Sequence, residues 1–432
     1  MVKKNSSREQ RLERDLHRIR ISPSFRVGVH ITNAIKRPWR AIVLPISLPW
    51  VMFTIGLELI GLKEQPKALA LNSVGKEALN THKIVMFPTN GVGFGHFTRL
   101  LAIAKQMKKL DESLEVIFFT TMPTLHILKQ YGIPAHHISG PKYFKDMETS
   151  EWNALLEEEL TLCLETHRPR MFMFDGAFPY RGMLNAIQGQ GHMKKVWVRR
   201  GMLRKGANIP VDSIQYFNEL IYPGENDNPT TIDADVGRPI IQCPPILLLD
   251  NDELLTRDEA RHRLGIPEDA LAVYVQLGAG QINDIESEIH ITLKSLLEHS
   301  NVHVVLGESM IGERISVDLP RLTILRDYPN SMYFNGFDAS VQAGGYNSFH
   351  EMRTAGLPVL FYPNMETGMD DQLARCKIAE EEGWGIVVKK RNKTSISKAC
   401  VELFAKVDTI NVQYYENGSM KLAEHFLEEM SS

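Results

Sequence analysis

The sequence predicts an α/β protein with two successive doubly wound, Rossmann-like units, preceded by an extension of a different character. Three observations predict it. Short apolar runs alternate with helical periodicity from about His82 onward. A glycine-rich turn follows the first apolar run of each half, at Gly91–Gly95 and at Gly278–Gly280. The chain, at 432 residues, 43% hydrophobic and 23% charged, is long enough to bury two domain-sized cores.

The extension comes first. Residues 1–40 hold 11 Lys/Arg and 3 Asp/Glu, a local charge of +8. The formal net charge of the whole chain is −3, so the remaining 392 residues carry −11: a basic arm precedes an acidic body. That balance argues against a nucleic-acid binder. Next comes Ala41–Leu62, 22 residues with one charge, Glu58. Its length permits a membrane span. Pro45 and Pro49 are expected to disrupt its first half, however, and a single crossing would put the basic arm outside, against the positive-inside rule. The expectation is therefore an in-plane or re-entrant segment on an anionic inner leaflet, with Trp39 and Trp50 at the interface, in a cytoplasmic, peripherally associated protein. The basic region is too long for a secretory signal and no cleavage pattern follows it.

The body then alternates. Lys83–Pro88 reads as a buried strand, Thr98–Lys109 as a helix and Leu114–Thr120 as a second strand. Further apolar runs lie at Met171–Phe174, Lys195–Val198, Ala272–Gln276, Val302–Leu306, Ser340–Gln342 and Val359–Tyr362. Pro239, Pro244 and Pro245 interrupt the pattern. The expected division is an extension over 1–80, a first Rossmann-like domain over 81–238, a second over 239–408, and a terminal helix over 409–432. Cys163, Cys243, Cys376 and Cys400 are far apart and show no metal-ligand spacing, so they read as reduced, buried thiols.

Two constellations carry chemistry. In the first, Gly91, Gly93 and Gly95 form a loop that can approach a ligand, and His96 lands at the following helix start. An imidazole there suits proton transfer near neutral pH. A dinucleotide fingerprint is the competing reading, but the third glycine is misplaced for it. Asp175, at the end of a strand, is either a second candidate base or the group that orients His96, and Asp-Gly is also ordinary turn chemistry. Arg199 and Arg200 follow a strand and are candidates for an acceptor phosphate.

In the second constellation, Gly344 and Gly345 let backbone N–H groups reach an anion while the next helix aims its positive end at the same point. Asn347 and Ser348 can cap that helix or donate to phosphate, and Glu351, one turn on, can accept from ribose hydroxyls. Asp370, Asp371 and Gln372 supply acceptors and an amide where a hexose would sit. The Asp-x-Asp patterns at Asp233–Asp235 and Asp250–Asp252 match a metal-diphosphate motif, but the second precedes a short helix and is explained by linker and N-cap chemistry.

The run Gly-Gly-Tyr-Asn-Ser-Phe-His-Glu at 344–351, with Ala-Gly-Leu-Pro at 355–358 and Asp-Asp-Gln at 370–372, resembles the donor half of GT-B glycosyltransferases related to the lipid II-forming N-acetylglucosaminyltransferase, a family 28-like group. The resemblance implies a GT-B fold with two domains facing a cleft and a terminal helix packing back on the first. It implies an inverting transferase without metal or other cofactor, using a nucleotide-sugar, with UDP as the nucleotide. On this reading His96 matches the histidine of the acceptor-side loop, where Gly91, Gly93, Gly95, Arg99 and Arg200 would face the acceptor. Gly278, Gly280, Gln281 and Asn283 match the family's second glycine loop, and Tyr328 matches the stretch that holds the base. The basic arm then points to a lipid-carried acceptor in surface or exopolysaccharide synthesis. A nucleotide-sugar 2-epimerase and a non-catalytic partner in a polysaccharide-assembly complex are the alternatives.

Overall fold

A computed structural model of the protein describes residues 16, 19–59, 62–63, 81–89, 93–123, 125–199, 211–224, 237–278, 285–308, 317–365, 370–407, 409–410 and 416–431. The chain divides into two compact units, one holding the N-terminal helices and one holding both sheets.

The first unit contains α1 (Pro23–Lys36) and α2 (Pro38–Leu59), which pack together as a hairpin. Ser22 caps α1 by accepting from the Phe25 N–H, and Pro23 stands at the first helical position. Arg26 closes the open end of the hairpin with a bidentate ion pair to Glu58, donating from Nη2 to Oε1 at 3.2 Å and from Nη1 to Oε2 at 2.5 Å. His30 meets Ser47 at 2.9 Å halfway along. Contrary to the expectation from Pro45 and Pro49, α2 is continuous. The two prolines lie four residues apart on its exposed face, so the carbonyls they leave unbonded, those of Ala41 and Pro45, fall on the side away from α1.

The second unit has two parallel sheets. The first comprises β1 (Lys83–Pro88), β2 (Glu115–Thr120), β3 (Ala135–His137), β4 (Met171–Asp175), β5 (Lys194–Val198), β6 (Glu219–Pro223) and β7 (Ile240–Cys243), in the order β3-β2-β1-β4-β5-β6-β7. The second comprises β8 (Leu271–Gln276), β9 (Val302–Gly307), β10 (Leu322–Leu325), β11 (Ala339–Gln342), β12 (Val359–Phe361) and β13 (Gly385–Val387), in the order β10-β9-β8-β11-β12-β13. Strands this apolar on both faces need cover on both, and helices supply it.

In the first sheet α3 (Gly95–Leu110) covers one face. The connections beyond it include α4 (Leu125–Gln130), and α5 (Thr149–His167) and α6 (Arg181–Gln188) cover the other face with Trp152, Leu156 and Leu160. After α7 (Val211–Ile214) and β7 the chain enters the second sheet's unit through α8 (Arg257–Leu264). There α9 (Ile285–Leu297), α10 (Tyr346–Thr354), α11 (Gln372–Glu381) and α12 (Lys393–Phe404) complete the layers. The terminal helix α13 (Gly418–Ser431) inserts Leu422, Ala423, Phe426 and Met430 into the core of the first sheet beside Phe97, Leu100 and Leu101 of α3.

Two facts of topology place the site. In each sheet the order reverses beside the first strand in sequence, between β1 and β4 and between β8 and β11. Ligands of doubly wound proteins bind at such switch points, outside the carboxyl ends of the strands. In sequence the two glycine-rich stretches come directly after these positions: residues 89–95 follow β1, and Ala343–Gly345 follow β11.

Candidate active site

Pro88 of β1 and Asp175 of β4 are register partners, and the Thr89 N–H donates to the Asp175 carbonyl at 2.8 Å. The strand ends therefore present Asp175 directly beneath the turn that leads into α3. A methyl group on Gly176 would approach Thr89 and the Phe174 ring to 2.6 Å, so the Asp-Gly turn is required by close packing.

His96 is the second residue of α3, which begins three residues earlier than its apolar pattern suggested. Its Nδ1 lies 2.6 Å from Asp175 Oδ1. Arg99, one turn later, donates from Nε to Asp175 Oδ2 at 2.8 Å and from Nη2 to Oδ1 at 2.6 Å. The same Nη2 is 2.9 Å from His96 Nδ1. Nδ1 thus faces a carboxylate, which only accepts, and a guanidinium, which only donates. A proton on Nδ1 satisfies the carboxylate at the shorter distance and places the ring lone pair on Nε2.

Asp175 is fully buried, and Arg99 is 1% exposed. Burial alone would raise the Asp175 carboxyl, but the charges of Arg99 and His96 and their hydrogen bonds outweigh it and hold the group below the usual carboxylate range. Arg99 was expected to face the acceptor. Its guanidinium is instead committed to Asp175, because α3 carries positions 96 and 99 on one face, above the end of β4.

The turn at the start of α10 meets this triad. Asn347 Oδ1 lies 3.5 Å from Arg99 Nη1, and the guanidinium sits 5.0 Å from the centroid of the Tyr346 ring. Tyr346 Oη accepts from the Ile246 N–H at 3.3 Å. Tyr328 joins the lobes as well: its hydroxyl is 3.0 Å from Thr98 Oγ1 and its ring packs on Phe94.

Gly345 is the N-cap of α10, and among the described residues no side chain caps that helix. The helix dipole places partial positive charge at this end, which suits an anion. Asn347 and Ser348 do not serve as the cap. The Gly344 carbonyl is held by Arg375 Nη1 at 2.7 Å, and Arg375 in turn pairs with Asp370 at 2.6 Å. Glu351 is half-buried, and among the described residues its carboxyl has no hydrogen-bond donor; burial raises it to about 8.

The remaining expected residues divide by the work they do within the chain. Asp371 caps α11 by accepting from the Ala374 N–H, and Gln372 Oε1 accepts from the Asn364 N–H. Gly278, two residues past the end of β8, has φ of +99°, a conformation that favours glycine. Gly93 and Gly95 are partly exposed at the start of α3. Arg199 is buried, with its guanidinium 5.0 Å from the Trp197 ring. Asp250 caps a 3₁₀ turn reciprocally with Glu253 and accepts from Gln106 and Asn417, both at 2.8 Å, as linker chemistry required. Gly91, Arg200, Gly280, Gln281 and Asn283 lie outside the described residues, as do Asp233 and Asp235.

Tyr346 and Arg375 were not anticipated. Tyr346 stood inside the recognised motif, but its hydroxyl contacts a residue 100 positions away. Arg375 falls at helical spacing from Asp371, a weak signal by itself.

No family model matches the chain. Over 139 residues, 30% of this chain, it is 27% identical to the sterol 3-beta-glucosyltransferase of Kluyveromyces lactis, a match that spans only 11% of that protein. In structure it resembles the glycotransferase of kitacinnamycin, with a TM-score of 0.54 and 13% identity over 81% of this chain and 98% of the other. It also resembles MurG of Acinetobacter baumannii, with a TM-score of 0.50 and 15% identity over 81% and 99%. The UDP-GlcNAc 2-epimerase of Methanocaldococcus jannaschii shares the architecture, with a TM-score of 0.53 and 12% identity over 80% and 99%. The fold is GT-B, and glycosyltransferases predominate among its structural neighbours.

Proposed function

We propose that the protein is an inverting, metal-independent glycosyltransferase that moves a hexose or N-acetylhexosamine from a nucleotide-sugar to an acceptor hydroxyl. One observation carries the reading: a His96–Asp175–Arg99 triad at one switch point touches, through Arg99 and Asn347, an uncapped helix N-terminus at the other.

Displacement at an anomeric carbon needs a base for the attacking hydroxyl and stabilisation for the departing diphosphate. His96 Nε2 takes the hydroxyl proton. Asp175 holds the ring in the required tautomer and stabilises the imidazolium that forms, while Arg99 keeps Asp175 ionised. The Gly344–Ser348 turn and the α10 dipole receive the diphosphate, a task that side-chain and backbone donors can perform without a metal ion. Glu351 accepts from the ribose hydroxyls. UDP is the nucleotide implied by the resemblance.

The N-terminal hairpin supplies the acceptor argument. Trp39, Ile42, Val43, Ile46, Trp50 and Phe53 form an exposed stripe along α2, and 20 residues of that helix, Trp39–Glu58, have the length and composition to cross a membrane. The turn of the hairpin carries Lys36, Arg37 and Arg40. Driving three cations to the bilayer centre would cost about 8–10 kcal/mol, whereas lying in the plane of an anionic surface satisfies both stripe and cations. The acceptor is therefore lipid-carried, in the synthesis of a cell-surface glycan or exopolysaccharide on the inner face of the membrane.

A panel of nucleotide-sugars tested for thermal stabilisation identifies the donor, since a ligand that binds the native state raises the melting point. With that donor, His96→Ala abolishes transfer while nucleotide binding persists. Transfer by the His96→Ala protein at the wild-type rate refutes the assignment. Turnover of the donor that is independent of any acceptor and yields its 2-epimer makes the protein an epimerase, and nucleotide binding without turnover on any lipid acceptor makes it a non-catalytic partner.

A further inference from the structure

We infer that His136, Cys163 and His167 form a site for one zinc-class divalent ion, separate from the triad. The side chains come from two elements. His136 lies on β3, the edge strand of the first sheet, and Cys163 and His167 stand one turn apart near the end of α5. A separation of four residues puts both on the same helix face.

Their ligand atoms converge. His136 Nε2 and His167 Nε2 are 2.7 Å apart, and the three donor atoms, including Cys163 Sγ, lie within 4.8 Å of one another. Around a tetrahedral zinc with bonds of about 2.0–2.3 Å, neighbouring ligand atoms stand roughly 3.3–3.6 Å apart. Opening the imidazole pair by under about 1 Å and drawing the sulfur in by at most about 1.5 Å produces that geometry. Both shifts are within the range of side-chain rotation. The ligand set, two imidazoles and a thiolate, is the borderline-soft combination that zinc prefers, with water completing the fourth position.

The surroundings fix two of the ligands. Phe119 stacks on the His136 ring at an interplanar angle of 17°. Arg168, the α5 C-cap, returns its N–H to the Leu164 carbonyl at 2.8 Å, and its own carbonyl accepts from Thr81 at 2.6 Å. Lys83 and Glu115, whose charges act on His167, pair with each other at 2.7 Å. The site is also remote from catalysis: His167 precedes the start of β4, whereas Asp175 ends that strand.

Metal-free, Cys163 carries its proton, because burial raises the thiol to about 12. Binding therefore forms a metal–sulfur bond and releases that proton to solvent. The histidine that donates through Nε2–H in the metal-free pair moves its proton to Nδ1. A second cluster, Glu219, His425 and Glu429, differs in kind: the Lys194 ammonium ion-pairs with both carboxylates and fills it.

The full-length protein, stripped with a chelator, is titrated with Zn²⁺ against a chromophoric competitor and separately with Co²⁺. The expected result is one ion per chain with Kd below about 1 μM and, for cobalt, a sulfur-to-metal charge-transfer band. His136 is exposed, so His136→Gln folds normally and weakens zinc by at least about tenfold. Cys163→Ala removes the charge-transfer band. Binding weaker than about 100 μM, cobalt bound without the thiolate band, or unchanged affinity in His136→Gln overturns the proposal.

Discussion

Replacing Asp175 by Asn tests the triad most directly, because the substitution preserves size and removes only charge and one acceptor. In the native protein the carboxylate accepts at 2.6 Å from His96, and at 2.8 and 2.6 Å from Arg99. An amide has one oxygen and one NH₂ to set against these donors, so in either orientation a donor faces a donor. If the NH₂ turns towards His96, the ring must accept through Nδ1 and protonate Nε2, which removes the base. If it turns towards Arg99 Nε, donor faces donor there, and in both orientations a guanidinium that is 1% exposed loses its counter-ion.

Leaving a buried charge without its partner costs about 3–5 kcal/mol. Spread over a cooperative body of about 350 residues, that lowers the melting temperature by roughly 4–7 °C. The rate should fall by roughly 10³–10⁴, the scale on which an orienting carboxylate acts through a catalytic histidine. The assay is release of nucleoside diphosphate from the donor, well below the variant's melting temperature, with donor Kd measured by calorimetry as the control. The acid side gives a further reading. Because the folded protein holds Asp175 below its ordinary value, its contribution is present at neutral pH and is lost as pH falls through the folded value, so Asp175→Asn flattens the acid limb of stability. A folded variant that keeps its rate within about tenfold of wild type refutes the reasoning, as does a rate loss matched by an equal loss of donor affinity.

Glu351→Gln should weaken donor binding by up to roughly tenfold through loss of a carboxyl hydrogen bond to a ribose hydroxyl. Because burial raises the folded carboxyl to about 8, the native state holds a proton that the unfolded chain loses above the ordinary carboxylate value. Stability of the ligand-free wild type relative to this variant should therefore fall as pH rises towards 8, and parallel melting curves across that range would contradict the assignment. The two glycines of the donor turn separate packing from ligand approach. A Cβ at Gly344 would stand 2.4 Å from Cys376 Sγ, so Gly344→Ala should cost stability, about 1–3 kcal/mol. At Gly345 nothing lies within 4 Å, so Gly345→Ala should fold like wild type yet bind donor at least about tenfold more weakly, and unchanged affinity would remove that turn from the donor site. Ile46 and Trp50 are 76% and 66% exposed, and replacing both by Glu should lower partition onto anionic vesicles at least about 100-fold while leaving the hairpin intact; equal sedimentation with wild type would exclude this face.

The central strands, β1, β4, β8 and β11 among them, were legible because each is a short apolar run bounded by polar turns, whereas the edge strand β3, Ala-His-His, carries no such run and was not read. The α3 boundary was less legible. Its first residues, Gly95 and His96, lie outside the apolar pattern, since His96 turns to Asp175 rather than to the apolar core. The reading of Pro45 and Pro49 as breaks in α2 failed for a different reason. Proline removes particular hydrogen bonds, and whether their loss interrupts a helix depends on which face they occupy, something that the partner helix decides.

By itself the sequence determined the parallel architecture and offered His96 and Asp175 as candidates beside glycine-rich stretches, because periodicity, turn chemistry and strand termini are local properties of the chain. Tertiary structure alone decided what Arg99 does. A side chain at helical spacing from His96 could equally have reached for an acceptor, and only the register of β1 with β4 brings Asp175 within 2.8 Å of its Nε. The same holds for the meeting of Arg99 with Asn347, 248 residues away, and of His136 with His167 across a sheet edge. Such contacts depend on how helices dock on a twisted sheet, and that geometry is set by the packing of the whole core.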